Sequence, residues 1–224
     1  MRVGVWDLEG HWSADHAHAL ASADCDVWLL TDVRPRVILD GYHQHLSATT
    51  FGEGRHWAGL LTRSPIRLLP DPHPASVAGW VDGLLVCASV LPWPFADEDT
   101  PWQEEPSHTG AMTATLAAIE SVLKGNAAVW GGAWSQPLEG NIVGFSPSAQ
   151  EAILTTVGTL GLQVPTAHQR NRHGRGQYTV DHLAVPADWE ILELESFEVD
   201  DTSEHDAYWI EVEPAEIEVS DQEQ

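Results

Sequence analysis

The densest basic run in the sequence is Gln169-Arg170-Asn171-Arg172-His173-Gly174-Arg175-Gly176. Arg170, Arg172 and Arg175 would form a local attractor for anions, because a planar guanidinium fork matches phosphate oxygens. The plainer alternative is a solvated loop that balances an acidic surface. His43 and His45 stand two apart in a run that reads as a strand, so they point to one face. That spacing can support zinc, but no third ligand is near, and paired surface histidines are the simpler reading. Trp93, Trp102 and Trp134 fall in predicted loops, where indole rings stack on a base or sugar or pack beneath the loops. Cys25 and Cys87 lie among apolar residues and read as small buried hydrophobes.

Charge narrows the partners. The 224 residues include 10 Lys and Arg against 34 Asp and Glu, a formal net charge of −24. Such a field repels a phosphate backbone and disfavours long nucleic acid. The charge is also uneven: no Lys or Arg follows Arg175, and 16 acidic residues lie between Gly176 and Gln224. Hydrophobic residues make up 43%, with 11 Trp, which supplies a core and excludes a chain disordered throughout. No apolar run is long enough to span a membrane, and two cysteines do not make a disulfide scaffold. Met1 to Asp7 lack the apolar stretch of a secretory signal, so a cytoplasmic protein is expected.

Strand and helix signals alternate along the chain. Apolar runs at Arg2 to Trp6, Val27 to Thr31, Trp57 to Thr62, Leu84 to Leu91, Ala127 to Trp130, Tyr178 to Val185 and Ala207 to Val212 predict strands. Arg63-Ser64-Pro65-Ile66 predicts a turn into a further strand. Ala14 to Ala23, Met112 to Leu123 and Ser148 to Leu160 predict helices. Gly125 and Gly161 follow the last two as stops, and Ser146 or Ser148 caps the third. Asp97 to Pro106 reads as a surface loop. Acid and apolar residues alternate from Glu211 onward, which predicts the end of a strand and then a frayed tail. One domain over residues 1–213 with an acidic tail at 214–224 follows. Strands outnumber helices and several bury one face only, which suits two packed sheets with helices outside them.

Short motifs stand at the strand ends in a definite order: Trp6-Asp7-Leu8-Glu9, Thr31-Asp32-Val33, Gly59-Leu60-Leu61-Thr62-Arg63-Ser64-Pro65-Ile66, Leu91-Pro92-Trp93-Pro94, Trp130-Gly131-Gly132-Ala133-Trp134-Ser135, Val180-Asp181-His182-Leu183 and Ser203-Glu204-His205. This series resembles the endonuclease/exonuclease/phosphatase superfamily from residue 2 to about 212. The resemblance implies an α/β chain with the DNase I-like fold, a four-layer α/β/β/α sandwich of two mostly antiparallel sheets flanked by helices. It also implies metal-dependent hydrolysis of phosphoric esters. In that chemistry a divalent ion, magnesium or manganese, neutralises phosphoryl oxygens while a histidine and a carboxylate position and activate water.

Residue by residue, the carry-over is uneven. The family's W-N-L motif reads Trp6-Asp7-Leu8, so Asp7 keeps an oxygen but adds negative charge beside a phosphate. The metal-binding glutamate falls at Asp32, one methylene shorter. The D-H pair is intact as Asp181 and His182, and the closing S-D-H reads Ser203-Glu204-His205. In this frame His205 is the base, Asp181 and Asp7 complete the catalytic set, and Asp32, Glu204 and Asp7 are the metal ligands. Arg170, Arg172 and Arg175 overhang the site as a phosphate-binding rim, with Arg34 and Arg36 beside it. Three positions have degenerated. The G-D-x-N motif reads Gly132-Ala133-Trp134-Ser135, and the mid-chain histidine falls at Val90. Ala133 has no proton to move, and losing an acid–base group costs roughly 10²–10⁴ in rate.

Three readings follow. The chain is a catalytically impaired pseudoenzyme that acts by binding a protein partner or a small phosphorylated ligand. Alternatively it is a divergent phosphodiesterase or phosphatase that uses magnesium or manganese on a small phosphorylated substrate. A third reading, compatible with the first, is an acidic interaction module whose C-terminal edge meets a basic partner.

Overall fold

The computed structural model describes residues 1–94, 100–140, 144–171, 177–199 and 203–214. In chain order its strands are Arg2–Asp7 (β1), Val27–Val33 (β2), His43–Leu46 (β3), Thr50–Phe51 (β4), Arg55–Thr62 (β5), Arg67–Leu68 (β6), Ser76–Val81 (β7), Leu84–Ser89 (β8), Ala128–Ala133 (β9), Leu162–Gln163 (β10), Asp181–Pro186 (β11), Glu190–Phe197 (β12) and Ala207–Glu213 (β13). The helices are Ala14–Ala23 (α1), His108–Leu123 (α2) and Pro147–Thr159 (α3). One sheet runs β12-β13-β1-β2-β5-β3, with β4 also on β5; the other runs β10-β11-β9-β8-β7-β6. Pairing is antiparallel except for β1 with β2 and β8 with β9.

The period-two alternation of side chains decides which residue faces which layer. Val3, Val5, Leu29, Leu60, Val86, Val129, Leu183 and Ile210 point between the two sheets and form the central core. Trp6, Trp28, Leu30 and Leu61 point the other way and meet Leu20 and Ala23 of α1. Leu85, Cys87 and Trp130 turn outward on the second sheet to meet Leu116, Ile119 and Ile153 of α2 and α3. The result is helix, sheet, sheet, helix pair, the four-layer α/β sandwich that the resemblance implies.

Each of the three α-helices starts on a serine whose side-chain oxygen accepts a backbone N–H: Ser13 from His16, Ser107 from Gly110 and Ser146 from Ala149. Pro147 occupies the first turn of α3, where its missing N–H has no partner to lose. β1 lies in the middle of its sheet between β2 and β13. The residue before it is tied across the whole chain, with the Met1 amine donating to the Val212 carbonyl at 2.9 Å and the Val212 N–H to the Met1 carbonyl at 2.8 Å.

Several expectations need correction. β4, β7, β10 and β12 have no counterpart among the predicted strands, and β11 starts at Asp181 rather than Tyr178. Residues 95–99 and the tail 215–224 lie outside the described residues. Trp102, within the segment expected as a surface loop, packs beneath it as the packing reading of the loop tryptophans has it, and its buried indole donates to Thr115 Oγ1 at 2.8 Å. Trp134 is also fully buried, against Trp130 at 4.1 Å between ring centroids. Cys25 and Cys87 are buried free thiols. No described helix is long and apolar enough to cross a membrane.

Candidate active site

The parallel neighbours β1 and β2 bring Asp7 and Asp32 to the same end of the sandwich. β9 ends there at Ala133, which faces Asp181 across the β9–β11 ladder. Val90 follows β8, and His205 precedes β13. A cavity of about 180 Å³ opens among Asp7, Asp32, His205, Ser135, Val90 and Ala133. Its far wall is aromatic, formed by Phe51, Trp57 and Trp93. The structure therefore gathers most of the site residues that the sequence proposes, including the three positions that depart from the family pattern, Ala133, Ser135 and Val90.

His205 and Asp181 form the tightest polar contact of the site. The imidazole Nδ1–H donates to Asp181 Oδ2 at 2.5 Å, and the Asp181 side chain is fully buried. The His205 loop is anchored from the end of β1: Glu9 Oε2 accepts from Ser203 Oγ at 2.6 Å and from the Glu204 N–H at 3.0 Å. Glu9 itself follows Asp7, whose Oδ1 accepts the Glu9 N–H at 2.9 Å. Burial opposes the charge on His205, but the Asp181 and Asp7 carboxylates outweigh it and raise its pKa well above the usual imidazole value. Burial also raises the Asp181 carboxyl, against the pull of His205. The pair therefore keeps its shared proton to higher pH than a free imidazole does.

Asp32 has a partner that the sequence does not reveal. Arg55, from the start of β5, places Nη1 at 2.6 Å from Asp32 Oδ2. The same guanidinium lies 4.5 Å from the centre of the Phe51 ring. Asp32 adopts a left-handed backbone, φ 51°, a region that aspartate tolerates better than most residues. Burial and then the neighbouring Asp7 push its carboxyl up to about 7, with Arg55 pulling the other way. A group whose pKa is higher folded than unfolded stabilises fully below its unfolded pKa and loses that effect as pH rises. Stability is therefore expected to decline between the ordinary carboxylate value of 3.8 and about 7. Asp32→Asn should flatten that decline, read as the denaturant midpoint against pH; an unchanged profile would remove Asp32 from this role.

The metal set Asp7, Asp32 and Glu204 does not assemble. Glu204 is exposed and lines a neighbouring cavity with Asn171, Gln177 and Tyr178, while Asp32 is engaged by Arg55. The donor atoms that do converge, within 4.8 Å of one another, belong to Asp7, Asp181 and His205. Asp181 Oδ1 is buried and has no hydrogen-bond partner, so this alternative set fits a divalent ion on its donor chemistry.

The proposed rim is only partly visible. Arg170 stacks on Tyr178 at 4.5 Å, and Arg172 and Arg175 lie outside the described residues. Arg34 and Arg36 line a separate cavity with His11 and Ser13. His182 points away from the cavity, to the outer face of the second sheet beside Trp134, and its buried Nε2–H donates to the Gln136 carbonyl at 3.0 Å. Ser135 Oγ is spent on the Leu91 carbonyl at 3.1 Å.

No family model and no curated protein matches the sequence. Solved structures do. The chain is similar to an AP endonuclease from Archaeoglobus fulgidus at 16% identity and TM-score 0.68, over 94% of this chain and 98% of that one. A 3′ phosphatase from Neisseria, solved with product DNA hairpin, aligns at 12% identity and TM-score 0.68, over 95% and 99%. An endonuclease/exonuclease/phosphatase protein from Beutenbergia cavernae gives 14% and 0.69, over 95% and 71%. The chain thus shares its fold with these nuclease and phosphatase structures.

Proposed function

We propose that this chain is a catalytically impaired version of the phosphoesterase fold that acts by binding. One observation carries the reading. Ala133 is 5% exposed and Val90 is 7% exposed, and both pack with Trp57, Ala75, Trp102 and Ala111 in one apolar cluster. The wall that would hold a phosphoryl group and move a proton is therefore hydrocarbon. Ser135 offers no compensation, because its hydroxyl is committed to Leu91. A protein partner bearing basic groups fits a chain of net charge −24.

The test is hydrolysis of bis-p-nitrophenyl phosphate with magnesium and with manganese, comparing the unmodified protein with His205→Ala. The expected result is no turnover above the variant. Metal-dependent turnover that disappears in His205→Ala would overturn the reading. It would favour a second one, motivated by the intact Asp181–His205 pair beside Asp7. There the three residues would hold magnesium or manganese, which supplies charge neutralisation at a phosphoryl oxygen, and the substrate would be a small phosphorylated molecule.

A further inference from the structure

The chemistry of the cavity wall names a ligand class for a binding site of this kind. Its lining contains the carboxylates of Asp7 and Asp32 and no Lys or Arg among the described residues. Arg55 engages Asp32 from outside the lining and His205 engages Asp181, which leaves Asp7 as the carboxylate of the lining with no ion pair of its own among the described residues. An anion would meet that charge and an apolar wall. A cation would meet a carboxylate and aromatic faces, the combination that recognises alkylated ammonium groups.

The protein already seats one cation on this wall. The Arg55 guanidinium covers Phe51, which stacks on Trp57 with ring centroids 4.0 Å apart. Trp57 in turn stands 6.3 Å from Trp93, tilted by 40°. Trp93 is partly exposed and lines this cavity and the next one, so its indole remains accessible. Size narrows the ligand further. A space of about 180 Å³ is smaller than the roughly 300–1,000 Å³ of sites for drug-sized ligands. It suits one head group rather than a nucleotide.

Resting on the reading that the site binds rather than hydrolyses, we propose that the cavity receives a compact alkylammonium head, held against the accessible Trp93 and beside Asp7, with the stacked Phe51 and Trp57 closing the wall behind. Two sources share that chemistry: a free quaternary amine and a lysine side chain of a peptide. Choline and Nα-acetyl-lysine methylamide are the probes, followed by tryptophan fluorescence and calorimetry. 3,3-Dimethylbutan-1-ol, the neutral isostere of choline, is the control. Saturable binding of at least one cation is expected, weakened about tenfold or more by Trp93→Ala and by Asp7→Asn. Choline alone would point to a quaternary amine, and the lysine derivative alone to a peptide. Inorganic phosphate should not compete.

Equal affinity for the neutral isostere would overturn the proposal, as would binding indifferent to both variants. So would the absence of saturable binding by either cation. Circular dichroism melts of both variants keep loss of fold apart from loss of binding, and where one variant fails to fold the other decides the matter. Phosphodiester turnover on the same samples separates the two levels. Turnover lost in His205→Ala removes the underlying reading, whereas no turnover with no cation binding removes this inference alone.

Discussion

Gly132→Ala is expected to destabilise the protein by about 4–5 kcal/mol, at the upper end of single substitutions. Two independent constraints act at this position. Gly132 has φ 136°, a conformation that side chains rarely adopt, and a Cβ there would lie 2.0 Å from the Ser89 carbonyl oxygen. The obstacle is the backbone of the adjacent strand β8, so no rotamer change relieves it. For a chain of this size each kcal/mol lowers the melting temperature by about 2–4 °C, so a drop of about 10–15 °C is expected. Gly158→Ala is the internal control. It sits in α3 with nothing within 4 Å of the place a methyl group would take, so gaining helix propensity should leave stability equal or higher. Melting of Gly132→Ala within a few degrees of the parent would show that β8 and β9 do not meet this closely.

Asp181→Ala is expected to destabilise by about 3–5 kcal/mol, because removing one member of a buried pair leaves the other charge uncompensated. Here His205 loses its direct acceptor, and the nearby Asp7 carboxylate compensates its charge only in part. His205→Ala strands Asp181 instead, in a fully buried position with Oδ1 already unpartnered. The double variant should be more stable than the sum of the two single losses predicts. Urea unfolding of all four proteins at neutral pH measures the coupling. Strictly additive losses would mean that the 2.5 Å contact contributes nothing to stability.

Local signals carried most of the fold. α1 runs from Ala14 to Ala23 as its small-residue pattern implies, and Ser146 and Gly161 bracket α3 as caps do. β12 escaped although Glu190-Ile191-Leu192-Glu193-Leu194-Glu195 alternates imperfectly. It is an edge strand with only part of one face covered, and its pairing with β13 slips between Ile191 and Glu193. β7 escaped because Gly79 interrupts a short run that follows a proline-rich turn. At the site, Asp7, Asp32, Asp181 and His205 were legible because each stands at a strand end in the order the resemblance requires. Arg55, Glu9 and the aromatic wall were not. Arg55 meets Asp32 across the β2–β5 pairing, and Glu9 meets Ser203 from nearly the opposite end of the chain. Such partners are set by topology, and a linear reading of spacing holds no trace of them. Glu204 erred for a related reason: position in a motif does not say which cavity a loop side chain enters.

The place of β1 between β2 and β13 has a consequence for how the protein is made. β1 leaves the ribosome before every other strand, yet one of its edges stays bare until Ala207 to Glu213 emerge. The contact that completes the sheet joins residues 211 positions apart, whereas the second sheet can assemble from residues 67 to 186 while translation continues. Closing so long a loop is entropically unfavourable, and non-local strand pairing is slow. Completion of the first sheet thus waits for β13. Until β13 docks, the inward row of Val3 and Val5 stands beside an open hydrogen-bonding edge, the arrangement that chaperones shield in nascent chains.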